Sequence, residues 1–302
     1  MKSKMVLVVL CSLAIYCECL ADRNGESDLP PQGQVQEGLH FASAILGREV
    51  NYAIYLPPDY ESSSRRYPVV YLLHGFTDNE SAWIQFGEAN LAADRAIADR
   101  EIPPMIIVMP DAGVTWYIND YQNKNRYEDM LVQEFIPFID ATYRTRAKKE
   151  FRGVAGLSMG GWGSLMLSMR HPDLFAACSA FSSAVWKDEE ITGMPENRYE
   201  ELFAELFGHK LKNKNRLNAH FRQYHPIDLA KAQPVESLKS VRYYIDCGDD
   251  DFLANGNAIL HMTLRERNVP HEFRVRDGAH NWTYWRTGLV EGLKFIGASF
   301  HR

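Results

Sequence analysis

The sequence predicts an α/β fold with a mostly parallel central sheet, helices on both of its faces and an antiparallel hairpin at its start. Three observations carry this expectation. Short apolar runs recur along the chain, each closed by Gly, Pro or a polar residue. Helix-length stretches separate them, and most of the runs are apolar on both faces, as strands buried between two helical layers must be. The 302 residues are 46% hydrophobic and 24% charged, enough for one large core.

The elements follow in order. Residues 1–21 carry Lys2 and Lys4, an apolar run from Met5 to Tyr16, and Cys19-Leu20-Ala21 with small residues where a signal peptidase would cut. This predicts a secretory signal peptide cleaved near Ala21, the run being too short to span a bilayer. Residues 22–36, rich in Gly, Pro, Gln and charge, read as a flexible leader. A single catalytic domain is expected over 37–302. Its first element is a hairpin from Phe41 to Leu56, with Val50, Tyr52, Ile54 and Leu56 alternating and a turn at Gly47.

The parallel strands are expected at Tyr67–Leu73, Met105–Met109, Phe151–Leu157, Ala176–Phe181, Val241–Cys247 and Glu272–Val275. Helical spacing marks Tyr127–Tyr143, Gly161–Arg170 and Trp282–Phe300, with Pro172 closing the second. The long polar interval from about 183 to 240 reads as a helical insertion near the carboxyl edge of the sheet, able to roof a pocket. Three of the five cysteines fall in the signal segment. Cys178 and Cys247 remain, each inside a strand-like run, and read as buried thiols, with a bridge open only if their strands are neighbours.

The formal net charge of -6 and the lack of a basic stripe exclude a nucleic-acid partner as an expectation. No Cys/His cluster has metal spacing, and the acidic run 249–251 lacks the further ligands of a calcium loop, so no metal and no cofactor is expected.

Gly156-Leu157-Ser158-Met159-Gly160 is a G-x-S-x-G string. It directly follows an apolar strand and directly precedes a helical pattern, the setting in which such a turn presents a nucleophilic serine. A serine hydroxyl needs a base, and on this strand–turn–helix platform the acid and then the histidine follow the serine along the chain. Asp249-Asp250-Asp251 lie after one late strand and His280 after the next, both at carboxyl ends where open parallel sheets place ligand sites. Ser158 is therefore the expected nucleophile and His280 its base, with the acid among the three aspartates. Two backbone N–H groups, of Met159 and of Phe76 in His74-Gly75-Phe76, are the expected oxyanion hole, while His74 itself reads as a structural residue.

These residues bring the chain close to a known family. Leu56-Pro57-Pro58-Asp59-Tyr60, Leu73-His74-Gly75, Gly156 to Gly161, Cys247-Gly248 with Asp251, and His280 followed by Trp285 resemble the α/β-hydrolase esterase family. That family includes feruloyl and acetylxylan esterases, S-formylglutathione hydrolases (esterase D) and mycobacterial mycolyltransferases. The resemblance implies Asp251 as the acid, third after the glycine of the late strand. It also implies that Trp116 and Tyr117, in Trp116-Tyr117-Ile118-Asn119-Asp120, form an aromatic loop that contacts substrate. With secretion, it points to a carboxylesterase acting on feruloyl or acetyl esters of plant cell-wall polysaccharide. An acyltransferase with the same triad, an S-formylglutathione hydrolase-like thioesterase and a non-catalytic binding protein are the alternatives.

Overall fold

The computed structural model describes residues 31–300; the expected signal peptide and the leader up to Pro30 lie outside them. Among the described residues eight strands form one sheet in the order β1-β2-β4-β3-β5-β6-β7-β8. They are β1 (Gln34–Ser43), β2 (Arg48–Leu56), β3 (Val69–Leu73), β4 (Ile106–Pro110), β5 (Arg152–Leu157), β6 (Ala177–Phe181), β7 (Arg242–Gly248) and β8 (His271–Arg276). β1, β2 and β4 pair antiparallel, and every pairing from β4 through β3 to β8 is parallel.

The hairpin begins earlier than its alternation announces. Val35 lies opposite Tyr55 and Gln36 opposite Ile54, so residues 34–36, expected in the leader, belong to β1. A bulge at Gly38, whose φ is +67°, interrupts the alternation there and hides the strand.

Period two along each central strand sorts its side chains onto two faces. Val69, Tyr71 and Leu73 enter one core and Val70 and Leu72 the other. The first core is closed by the Met159–Arg170 helix, by residues 127–142 and by helices of the insertion; the second by the Ala89–Ala98 and Trp282–Gly297 helices. The helix expected at Tyr127–Tyr143 contains a wide π turn at Leu131–Phe135 between two α segments. β8 is an edge strand with half-exposed and exposed residues, unlike the fully buried β3 to β6.

From β3 the chain crosses to β4 on one side and then returns to β5 on the other. The loops leaving β3 and β5 therefore diverge, and a crevice opens at their carboxyl ends. The final helix starts beside that crevice at Trp282 and runs back along the sheet. It ends at Gly297 against Pro103, which precedes β4. Cys178 and Cys247 do lie on neighbouring strands, but Cys178 pairs with Tyr243, four residues before Cys247. Both thiols are free and buried, and burial pushes the Cys178 thiol up to about 12.

Candidate active site

β5 ends at Leu157 and the next helix starts at Met159, so Ser158 alone makes the turn. Its φ of +52° and ψ of -114° lie where an L-residue is strained by roughly 1–3 kcal/mol. The surroundings fix it. Ser158 N–H donates to the Phe181 carbonyl at 2.9 Å, and its own carbonyl accepts from Ala184 N–H at 2.9 Å and Trp162 N–H at 3.0 Å. The turn closes tightly on β3: a Cβ on Gly160 would lie 2.3 Å from the Leu73 carbonyl oxygen, and one on Gly156 2.4 Å from that of Gly160. Only glycine fits at either place.

His280 Nε2 lies 3.0 Å from Ser158 Oγ, and His280 Nδ1 lies 2.9 Å from Asp251 Oδ2. With Nδ1–H donated to Asp251, Nε2 is left to accept the serine proton. The other Asp251 oxygen accepts from Leu253 N–H at 2.8 Å. Burial alone would raise the Asp251 carboxyl, but the bonds it accepts from His280 and from the Leu253 N–H hold it below the usual carboxylate range. Two rings grip the imidazole: Phe252 at 4.7 Å and Trp285, edge-on, at 4.9 Å.

The three consecutive aspartates divide their work. Asp249 Oδ1 accepts from Gly278 N–H at 3.0 Å and Asp250 N–H donates to the Gly278 carbonyl at 3.1 Å, tying down the loop that carries His280. Asp251 alone reaches the imidazole. Oxygens of Asp249, Asp250 and Asp277 come within 4.8 Å of one another, but all three residues are exposed and stand outside the triad.

Opposite Ser158, the loop after β3 is pinned from several sides. Ala112 N–H donates to His74 Nε2 at 2.9 Å, so His74 is neutral at that nitrogen and donates Nδ1–H to the Gly75 carbonyl at 2.8 Å. Trp83 Nε1–H donates to the Leu73 carbonyl at 2.9 Å. Gly75 approaches Ser158 closely, its Cβ position lying 3.7 Å from Ser158 Cβ. Among the described residues neither Phe76 N–H nor Met159 N–H, the latter in the first turn of its helix, is taken by a partner.

The cleft above Ser158 has a volume of about 530 Å³. Phe76, Trp116, Trp186 and Leu202 form one wall; Phe252, Trp282 and Trp285 lie around His280. Trp186, Arg198 and Leu202, which also line it, come from the interval 183–240. Trp116 is in the wall, packed between Trp162 at 5.3 Å and Phe203 at 5.0 Å. Tyr117 is not. Both residues have left-handed backbone, φ +55° and +62°, and this turn sends Tyr117 inward, fully buried, to donate its hydroxyl to the His74 carbonyl at 3.0 Å. The aromatic pair expected at the substrate is thus one cleft residue and one brace beneath the Gly75 loop. Trp186, Leu202, Phe252 and Trp282 were not marked by any local pattern, since only tertiary packing brings them to Ser158.

A family model described as "Putative esterase" matches residues 43–296. The chain is 36% identical over 170 residues to an endo-1,4-beta-xylanase/feruloyl esterase of Xylanibacter ruminicola, a match covering 53% of this chain and 23% of that protein. It is 23% identical over 274 residues to an acetyl esterase of Caldicellulosiruptor saccharolyticus, covering 85% and 96%. The chain therefore spans less than a quarter of the length of the first relative and nearly all of the second. Among solved structures, a ferulic acid esterase superposes with a TM-score of 0.76 at 31% identity, over 89% of this chain and 100% of that one. Among the described residues no helix is long and apolar enough to cross a membrane.

Proposed function

The chain belongs to the esterase family whose model spans its residues 43–296, and from that premise we propose that it is a secreted serine carboxylesterase releasing hydroxycinnamoyl groups, with acetyl groups as poorer substrates, from cell-wall polysaccharide. The observation that carries the reading is the unbroken relay of Ser158, His280 and Asp251 at 3.0 and 2.9 Å on the floor of an aromatic-walled cleft.

In the proposed reaction Ser158 Oγ attacks the ester carbonyl while His280 Nε2 takes its proton. Negative charge developing on the carbonyl oxygen is met by the Phe76 and Met159 N–H groups, a stabilisation worth roughly 3 kcal/mol per donor. His280 then passes the proton to the leaving alcohol, and Ser158 keeps the acyl group. Water, deprotonated by the same imidazole, releases the acid and restores the serine. Asp251 stays ionised throughout and stabilises the imidazolium.

The acyl preference rests on the shape of the cleft. A cinnamoyl group is flat and apolar, and Trp116, Trp186 and Leu202 offer it a wall of the same character. An acetyl group would leave most of about 530 Å³ unfilled. Comparing kcat/KM for methyl ferulate, acetylated xylo-oligosaccharide and p-nitrophenyl palmitate in the wild type and in Ser158→Ala tests the reading. Ferulate should be preferred and the variant inactive; a preference for palmitate would overturn the substrate assignment, and an active Ser158→Ala the mechanism.

A further inference from the structure

The imidazole that protonates a leaving alcohol must touch it, so the alcohol half of the substrate lies on the His280 side of Ser158. This follows from reading the triad as an esterase, and the inference below rests on that reading. On that side the surface is unusually aromatic. Phe252, 63% exposed, lies over the His280 ring at 4.7 Å. Beyond His280 the rings continue through Trp285 to Trp282 at 5.4 Å and then to Phe86 at 5.7 Å. Phe86 is 49% exposed and lies outside the cleft, on the turn that follows the short Ala82–Gln85 helix.

The turn that carries Phe86 and the half-buried Trp282 ring are both held in place. The Phe86 carbonyl accepts two bonds from the Arg286 guanidinium, at 3.1 Å from Nε and 2.8 Å from Nη2, and Arg286 is also paired with Glu88 at 3.1 Å. Trp282 stands edge-on against the buried Trp83 at 5.3 Å. A second groove of about 370 Å³ lies by the same turn, lined among others by Glu88, Leu91, Arg95, Asp99 and Arg286. Apolar rings on a fixed frame, with a second groove nearby and cation and anion paired beside it, suit a neutral, hydroxyl-rich chain whose ring faces are apolar.

We infer that Phe252, Trp282 and Phe86 form an extended saccharide platform on the leaving-group side of Ser158, which binds several consecutive sugar units of the polysaccharide that carries the ester. The site recognises the polymer backbone independently of the acyl group.

Titration of the full-length protein with xylohexaose, which carries no ester, tests this directly. Xylohexaose should bind, Phe86→Ala should weaken it by about five-fold, the loss of one stacking contact, and Phe86→Tyr, which keeps the ring, should restore it. Absence of binding, or equal binding by Phe86→Ala, overturns the platform. In parallel, the ratio of kcat/KM for a feruloylated xylo-oligosaccharide to that for methyl ferulate should fall by a similar factor in Phe86→Ala. If neither ester is hydrolysed by the wild type while xylohexaose still binds in this pattern, the esterase reading fails and the platform stands.

Discussion

Asp251 is set apart from its two neighbours by a single bond, 2.9 Å to His280 Nδ1, and that bond selects the imidazole tautomer. Replacing it with Asn presents an amide that can donate to Nδ1, favouring the tautomer whose Nε2 already carries a proton. Asp251→Asn is expected to lower kcat on the order of 10⁴-fold with the fold retained; circular dichroism alongside steady-state kinetics checks it. Asp249→Asn keeps an acceptor for Gly278 N–H and should cost far less. In the sequence all three aspartates stand after the same strand, and only the family resemblance separates them; the physical distinction is a hydrogen bond 29 residues long-range, which no local pattern encodes. The turn at Ser158 was legible for the opposite reason: it is local, and the flanking glycines that make it are written beside the serine.

At the scale of elements, two adjacent residues went to different places. Trp116 and Tyr117 sit on one left-handed turn, and the turn directs one ring to the cleft wall and the other under the Gly75 loop. Sequence shows two neighbouring aromatics and nothing that divides them. Tyr117→Phe removes the hydroxyl that holds the His74 carbonyl. The expected result is a loss of about 1 kcal/mol of stability and a several-fold lower kcat with KM little changed, since the loop it braces carries the Phe76 N–H. Trp186→Ala, in the insertion, should act the other way: KM for methyl ferulate rises about five-fold, while small acetyl esters, which do not reach that wall, are affected much less. The interval 183–240 stands out in the sequence as too long for one crossover, but which of its residues line the cleft, Trp186, Arg198 and Leu202 among them, depends on how its helices pack.

For the whole molecule, the layers were legible because burial on both faces leaves continuous apolar runs in β3 to β6, whereas β1, bulged at Gly38, and the exposed edge β8 blur their own signals. Stability also has a pH signature at this scale. Glu128 is buried with Arg170 at 2.6 Å and His171 at 2.8 Å; burial opposes its ionisation, but these two partners hold its carboxyl low. Asp228, with His225 and Arg222, and Asp251 are lowered in the same way. For a depressed carboxyl the stabilisation is complete above its unfolded pKa, near 4, and is lost as pH falls through the lower folded value. Urea unfolding should therefore give a flat midpoint down to roughly pH 5 and a steep decline below it. Glu128→Gln should lower the midpoint at neutral pH by the equivalent of about 3 kcal/mol and make the acid decline shallower.

The last helix begins at the rim of the cleft with Trp282 and ends at Gly297 beside Pro103, about 24 Å away at 1.5 Å per residue. Its far end therefore emerges on the side of the sheet opposite Ser158. A tether attached beyond Phe300 would hold the protein with its cleft facing outward, so that, on the proposed function, protein immobilised through this end should still reach an insoluble polymer. Attachment through the turn at Phe86 would press the same cleft against the support.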